Sequence, residues 1–360
     1  MGEVLLFVGS LNREQPQFEG ARGVGLSVYA FDEETCETRL LTETGEPDNP
    51  TYLAVSGDGR HVFVTAEVAH WREGTVTAYG FDPATATLTY RNKMASLGSN
   101  TSYCTLSPDE RRLYISNYGS GSGGPDQCAA VFRVETDGTL GPPIASVKHG
   151  GAGPHARQDR PHAHCVMETQ DGQILVADLG ADRVFAYRAS GDGLVSEEST
   201  ALPEGAGPRH LALHGNGQIA FLLCELTSTL AALALGEGAP RLLGLLPLSE
   251  DGPLLGASDI QISPDGRFVY CGLRGPDTIC EVGVDEDGTM TLLQTTPCGG
   301  KTPRNLCLTP SGKHLLCANQ NDDHIAIFAR DAATGRLMNT GRSITVGTPM
   351  CVRCVEVGNG

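Results

Sequence analysis

A short turn phrase recurs six times along this 360-residue chain and constrains its fold more than any other feature. Ser263-Pro264-Asp265-Gly266 is the clearest copy, and each copy lies between two short apolar runs. Proline fixes φ at the second position and glycine accepts a positive φ at the fourth, so the phrase predicts a tight hairpin turn. The copies begin at Ser56, Ser107, Thr169, His214, Ser263 and Thr309. Their third residues are 51, 62, 45, 49 and 46 residues apart, a period that indicates a β-propeller.

Four strands are predicted in each period, which is the content of one propeller blade. Six turns give six blades, and the chain ends supply a seventh. Residues 351–357 read as one more first strand, and residues 4–10, 25–31 and 38–42 read as the later strands of the same blade. We therefore predict an all-β, seven-bladed β-propeller with four-stranded antiparallel blades. Pairing of the N- and C-terminal strands in one blade closes the ring and removes exposed sheet edges. We expect residues 1–360 to form a single domain.

The formal net charge of −17 argues against nucleic acid or an anionic membrane as a partner. The apolar runs are shorter than a membrane span, and the N-terminal run lacks the basic region of a signal peptide. Several of the twelve cysteines lie within predicted strands, where they read as reduced core residues. We expect a cytoplasmic protein that is a monomer or a weak homo-oligomer, with no nucleic-acid or membrane partner.

Polar residues occupy equivalent places around the predicted ring. The second strand of each hairpin ends in a polar residue, and this set is Glu67, Asn117, Asp178, Glu225, Arg274 and Asn319. A matching set precedes or opens the first strands and includes His162, His164, Arg209, His210 and Arg304. The start of strand one and the end of strand two lie at the same end of a hairpin, which in a propeller borders the central channel. The two sets are therefore predicted to converge on one face as an active or binding site.

Several of these residues admit more than one interpretation. His162 and His164 share a strand face if the strand is regular, and could bind a metal. Arg209 and Arg274 could bind an oxyanion, or could pair structurally with Glu225 or Asp178. Cys351 and Cys354 should point to opposite strand faces, which disfavours a redox or zinc pair. The stretch 119–124 matches a glycine-rich nucleotide motif, but no helix follows it, so a flexible loop is the better interpretation.

The phrases at 161–164, 177–184, 207–210 and 224–229 resemble the seven-bladed lactonase family, which includes propeller-type 6-phosphogluconolactonases and carboxy-cis,cis-muconate cyclases. The resemblance runs through nearly the whole chain. It implies hydrolysis, or reversible closure, of a sugar-derived or organic-acid lactone without a required metal or cofactor. The catalytic set proposed for the family falls on His162, Arg209, Glu225 and Arg274, with His164 as a rival for the histidine.

We therefore expect a lactonase similar to 6-phosphogluconolactonase, acting on a small anionic lactone at the mouth of the channel. In this hypothesis Glu225 or His162 activates water, and Arg209 and Arg274 stabilise the oxyanion or hold the anionic group of the substrate. The predicted substrate contacts are His164, Asp178, Glu67, Asn117, His210 and Asn319. Three alternatives stay open: a muconate-type cyclase, a metal-dependent gluconolactonase-like enzyme using the ring carboxylates, and a non-enzymatic binding propeller.

Overall fold

The computed structural model describes residues 3–119, 124–191, 193–249 and 256–358, so residues 120–123 of the glycine-rich stretch lie outside the described ranges. Within these ranges the chain forms 28 strands and no helix, and hence no helix that could span a membrane. The strands are β1 (Glu3–Ser10), β2 (Leu26–Phe31), β3 (Thr38–Thr44), β4 (Leu53–Val55), β5 (His61–Ala66), β6 (Thr75–Asp82), β7 (Thr87–Ala95), β8 (Ser99–Leu106), β9 (Arg112–Gly119), β10 (Ala129–Val134), β11 (Leu140–Val147), β12 (Ala163–Glu168), β13 (Gln173–Asp178), β14 (Arg183–Ser190), β15 (Gly193–Ala201), β16 (Pro208–Leu213), β17 (Ile219–Cys224), β18 (Thr229–Ala234), β19 (Arg241–Pro247), β20 (Ala257–Ile262), β21 (Phe268–Leu273), β22 (Thr278–Val284), β23 (Met290–Pro297), β24 (Pro303–Leu308), β25 (His314–Asn319), β26 (His324–Arg330), β27 (Leu337–Thr345) and β28 (Pro349–Val357).

These strands form seven four-stranded antiparallel sheets arranged as a ring of blades, which confirms the predicted fold. Blades one to six are β4–β7, β8–β11, β12–β15, β16–β19, β20–β23 and β24–β27. Blade seven has the strand order β28-β1-β2-β3, and β28 pairs with β1 from Glu3 opposite Val357 to Ser10 opposite Pro349. The chain ends therefore close the ring as predicted.

Local hydrogen bonds explain why the turn phrase recurs. In the first copy, Ser56 Oγ donates to Asp58 Oδ1 at 2.6 Å, and the same oxygen accepts the backbone N–H of Arg60 at 2.9 Å. The N–H of Gly59 closes the turn on the carbonyl of Ser56 at 2.9 Å. Gly59 has a φ of 72°, which glycine adopts without steric cost. In the second copy Glu110 takes this left-handed position instead, with a φ of 58°.

The interior consists of apolar side chains packed between neighbouring blades, and the middle strands of most blades are buried. In each of blades three to six, the first residue of the first strand lies opposite the last residue of the second strand, as with Ala163 and Asp178 or Pro303 and Asn319. The sheet register thus holds the two predicted polar sets at one end of the hairpins.

Candidate active site

A β-bulge near the start of several first strands sets one residue out of register, and these residues carry much of the site. In β12, Ala163 pairs with Asp178 and Cys165 pairs with Ala177, so His164 has no partner in the register. Arg209 of β16 and Arg304 of β24 occupy the same unpaired position. A bulge re-aims a side chain away from the regular alternation of a strand. All three side chains line one cavity.

This cavity has a volume of about 410 Å³ and receives residues from every blade or its adjoining loop. Its charged and aromatic lining consists of Phe18, Glu67, Tyr118, Arg157, His164, Arg209, Glu225, Arg274 and Arg304. Three larger depressions lie elsewhere on the surface and are lined mainly by residues of turns and outer strands. The cavity with the converging charges is therefore the candidate active site.

Glu225 lies at the centre of the charged groups, directly after β17. Its Oε1 accepts hydrogen bonds from Arg157 Nη1 and Arg274 Nη2, each at 2.6 Å. Its Oε2 lies 2.8 Å from Arg209 Nε, but the N–H is not directed at the oxygen, so this contact is an ion pair without a hydrogen bond. One buried carboxylate thus holds three guanidinium groups together, while Oε2 keeps unused accepting capacity.

The surrounding charges set the ionisation of this group. Burial raises the pKa of Glu225, but the nearby Arg274, Arg209 and Arg157 guanidinium groups outweigh it and hold that pKa well below its usual value. Burial lowers the pKa of Arg209 to about 9, with Glu225 opposing the shift. Both groups are therefore charged at neutral pH, and the carboxylate is a weak proton acceptor.

Arg304 is the guanidinium group with the fewest partners in the cavity. Its nearest carboxylate oxygen, Glu67 Oε2, is 3.9 Å away, and its guanidinium lies over the ring of Phe18 at 5.3 Å. Within the described ranges its side chain makes no hydrogen bond. Burial and the nearby Arg274 lower the pKa of Arg304. This partly buried donor can therefore bind an anionic group of a ligand without breaking an existing hydrogen bond.

The two predicted histidines differ in their surroundings. His162 precedes β12; its Nδ1 lies 2.7 Å from the carbonyl oxygen of Tyr118 and its Nε2 lies 3.0 Å from Asp159 Oδ1. Both of its ring nitrogens are thus occupied, and it does not line the cavity. His164 lines the cavity, and burial, Arg209 and His210 hold its pKa well below 6.5. A neutral His164 is therefore the histidine that the structure places beside Glu225 and the arginines.

The remaining predicted site residues divide into two groups. Glu67 and Arg274 line the cavity, whereas Asp178, Asn117, Asn319 and His210 do not. Asp178 Oδ1 accepts three backbone N–H groups, those of His162, Gly180 and Ala181. The amides of Asn117 and Asn319 donate to the backbone carbonyls of Ser96 and Cys298. These three side chains fix the loops at the ends of their strands.

Three cavity residues received no catalytic or substrate-binding role in the sequence analysis, namely Arg157, Arg304 and Tyr118. Arg304 follows a proline at the start of a first strand, as Arg209 does, and this shared pattern could have identified it. Arg157 lies in the irregular segment between β11 and β12, and its guanidinium also contacts the hydroxyl of Tyr118 at 3.2 Å. No periodic signal marks a residue in such a loop.

One group of metal-ligating side chains occurs among the described residues, formed by Cys128, His149 and Asp178. It is buried outside the cavity, and His149 Nδ1 lies 2.6 Å from Asp178 Oδ2. That distance is a direct hydrogen bond with no room for an ion between the two atoms. In the cavity, each Glu225 oxygen faces a guanidinium, an environment that repels a cation.

Comparison with known proteins shows similarity to propeller lactonases over nearly the whole chain. The family described as "Lactonase, 7-bladed beta-propeller" matches residues 6–354. A 6-phosphogluconolactonase of Bacillus subtilis is 31% identical over 345 residues, covering 92% of this chain and 95% of that protein. A 6-phosphogluconolactonase of Formosa agariphila is 28% identical, covering 95% and 96% of the two chains. The structure of a periplasmic gluconolactonase of Pseudomonas aeruginosa superposes with a TM-score of 0.89 at 31% identity, covering 99% of this chain and 100% of that one.

Proposed function

The chain belongs to the seven-bladed β-propeller lactonase family, and on this premise we propose that it hydrolyses 6-phosphogluconolactone or a closely similar phosphorylated sugar lactone. We take the 410 Å³ cavity as the active site and expect it to lie at the mouth of the propeller channel. The reaction adds water across the ring ester and yields an open-chain sugar acid.

The observation that carries the proposal is the excess of positive charge in this cavity. Four guanidinium groups line it, those of Arg157, Arg209, Arg274 and Arg304, against the two carboxylates of Glu67 and Glu225. This local excess of two positive charges occurs in a protein with a net charge of −17. A phosphate ester with two negative charges would balance this excess of two positive charges. An unphosphorylated lactone would leave the excess uncompensated.

Arg304 is the proposed anchor for the phosphate. Its guanidinium makes no hydrogen bond in the described part of the chain, so binding an oxyanion satisfies its donors at little cost. Arg157 is 43% exposed at the side chain and could close over the bound ligand from its loop. Fixing the phosphate end of the substrate would orient the lactone carbonyl toward the side of the cavity that His164, Arg209 and Glu225 line.

The chemical step assigned to this side begins with a water molecule attacking the lactone carbonyl carbon. Neutral His164 accepts the proton from the water, and Arg209 and Arg274 stabilise the negative charge that develops on the carbonyl oxygen. Collapse of the tetrahedral intermediate breaks the bond to the ring oxygen, and protonated His164 returns its proton to that leaving oxygen. Glu225 keeps the arginines in place, since its low pKa makes it a poor base.

The proposal is tested by initial rates on 6-phosphogluconolactone and on unphosphorylated gluconolactone, each corrected for spontaneous hydrolysis and measured with and without a chelator. We expect a higher kcat/KM for the phosphorylated lactone and no effect of the chelator. Loss of activity on chelation would instead favour a metal-dependent enzyme. Absence of catalysis on both lactones would refute the proposal, and preference for the unphosphorylated lactone would refute its phosphate component.

A further inference from the structure

A buried carboxylate–imidazole pair lies against Arg209 and takes no part in lining the cavity. Asp259 of β20 is 1% exposed, and its Oδ1 lies 2.7 Å from Nδ1 of His210, which is also buried. Arg209 Nη1 lies 3.3 Å from Nε2 and 3.5 Å from Nδ1 of the same imidazole. The near equality of these two distances shows that the guanidinium nitrogen does not align with a single ring nitrogen.

The second oxygen of Asp259 fixes the carboxylate in place. Oδ2 accepts hydrogen bonds from Asn305 Nδ2 at 2.5 Å and from the backbone N–H of Leu306 at 2.9 Å. Asn305 Oδ1 in turn accepts the backbone N–H of Val352 at 2.7 Å. The pair is thus connected to the first strands of blades four, five, six and seven. Asp259 therefore has little freedom to turn away from His210.

These contacts determine the protonation of His210. Burial raises the pKa of Asp259, but hydrogen bonding to His210 and nearby charges lower it below its usual value, so the carboxylate is ionised. An ionised carboxylate only accepts hydrogen bonds, and His210 Nδ1 must therefore carry a proton. Burial and Arg209 lower the pKa of His210 to about 4. The imidazole is consequently neutral and protonated on Nδ1, and its ring lies against Arg209 Nη1.

The neutral imidazole of His210, hydrogen-bonded to the Asp259 carboxylate, contacts the buried cation of Arg209. Arg209 is the largest side chain with almost no exposure in the described structure, so its charge depends on protein groups for compensation. Glu225 and Asp259 both favour its charged form, whereas Arg274 and Arg304 oppose it. Glu225 holds the cavity side of the guanidinium, and the imidazole of His210 contacts Nη1.

We propose that Asp259 and His210 are positioning residues of the active site, which keep Arg209 charged and aimed at the developing oxyanion. This proposal rests on the proposed lactonase function, in which Arg209 acts on the reacting carbonyl. Neither residue touches the substrate; both act through Arg209. Their loss should therefore change the rate of the chemical step more than substrate binding.

Asp259→Asn is a sharp test because both Oδ2 partners are hydrogen-bond donors. The amide oxygen of the variant must face Asn305 and Leu306, so its NH₂ group faces His210. The imidazole then has to accept on Nδ1 and carry its proton on Nε2, so the tautomer that contacts the Arg209 guanidinium is reversed. We expect kcat to fall roughly 100-fold, as for a misplaced catalytic group, while KM changes less than about threefold.

His149→Gln is the matched control, since His149 forms the other buried pair with a short contact to an aspartate, at 2.6 Å from Asp178, and does not line the cavity. We expect its kcat to stay within about twofold of wild type even if its thermal stability falls. Equal losses of kcat in His149→Gln and Asp259→Asn would overturn the proposal, because they would show a general effect of disturbing buried pairs. Wild-type kinetics in Asp259→Asn would overturn it as well.

A second measurement depends neither on catalysis nor on the folding of Asp259→Asn. Nitrogen-15 NMR of histidine-labelled wild-type protein should show His210 as the neutral form protonated at Nδ1, with assignment from the loss of signals in His210→Gln. Protonation at Nε2, or an imidazolium at neutral pH, would overturn the proposal even if Asp259→Asn failed to fold. If the wild type hydrolyses no lactone while His210 shows the expected form, the proposed function fails and the buried pair stands without its catalytic role.

Discussion

Replacing Glu225 with glutamine should destabilise the protein strongly, because this carboxylate compensates three guanidinium groups. The amide oxygen of Glu225→Gln can accept from Arg157 and Arg274, as Oε1 does now at 2.6 Å. The NH₂ group then faces Arg209 Nε, which lies 2.8 Å from Oε2 in the native protein. A donor replaces an acceptor beside a buried cation, and the negative charge is lost.

Most of the expected loss in the free energy of unfolding comes from the contact between Glu225 and Arg209. Both side chains are 2% exposed, and removal of one partner from a buried ion pair costs about 3–5 kcal/mol. The side chains of Arg157 and Arg274 are 43% and 19% exposed, so solvent screens part of their interaction, and each adds at most about 1 kcal/mol. We therefore expect the free energy of unfolding to fall by about 3–7 kcal/mol at pH 7.

The pH dependence of this loss provides an internal check. The pKa of Glu225 in the folded protein lies well below 4.5, its ordinary value. Its ionised form therefore stabilises the native state fully above about pH 4.5, and this contribution disappears as the pH falls through the folded pKa. The difference between wild type and Glu225→Gln should therefore shrink as the pH falls below about 4.5.

Urea-induced unfolding followed by circular dichroism measures both quantities. Glu286→Gln is the matched control, because Glu286 is exposed in a turn, and its substitution should change the free energy of unfolding by less than about 0.5 kcal/mol. A loss below about 1 kcal/mol in Glu225→Gln at pH 7 would refute the idea that this carboxylate compensates a buried cation. So would a difference between the two proteins that did not change below pH 4.5.

Three further predictions concern the phosphate anchor, the base and the turns. Arg304→Gln should raise KM for 6-phosphogluconolactone roughly 10- to 100-fold because a charge-assisted hydrogen bond is lost, and KM for unphosphorylated gluconolactone should change little. Equal effects on both lactones in steady-state kinetics would contradict the role of Arg304 as phosphate anchor. Because burial and Arg209 lower the pKa of His164, kcat/KM should stay high down to pH 6.5 and decline only below that pH. A decline in the pH–rate profile that begins above pH 6.5 would contradict a neutral His164 base. Gly172→Ala should cost about 1–2 kcal/mol in thermal or urea unfolding because Gly172 has a φ of 80°, while an added Cβ would meet only Glu168 Oε1 at an ordinary contact distance of 3.8 Å. Gly215→Ala, without a positive φ, should be nearly neutral, and similar losses in both variants would show that backbone conformation is not the cause.

The fold could be predicted because its determinants are local and repeated. The Ser56–Asp58 hydrogen bond and the left-handed Gly59 are properties of four consecutive residues, so the sequence displays them directly. Once six such turns were placed, the leftover strands at the two ends could satisfy their edges only by pairing with each other, as β28 and β1 do. Closure of the ring followed from counting strands.

The site could be predicted only in part, since strand-end reasoning locates a residue but not the direction of its side chain. Glu225 and Asn319 follow or end equivalent strands, yet Glu225 binds three arginines in the cavity whereas Asn319 donates to the carbonyl of Cys298. Arg157 comes from an irregular segment, where no periodicity marks a functional residue. Its place beside Glu225 depends on the folded path of the loop.

The β-bulges explain the ambiguity between the histidines and indicate how the site is built. Strict alternation would give His162 and His164 the same face, but the bulge leaves His164 without a partner and turns it into the cavity. The residue after each bulge resumes the register, and in β16 that residue is His210, directly behind Arg209. A bulged first strand therefore supplies one side chain to the cavity, and in β16 the next side chain lies behind it. Substitution at a bulged position can alter ligand chemistry while the paired residues of the strand continue to hold the blade together.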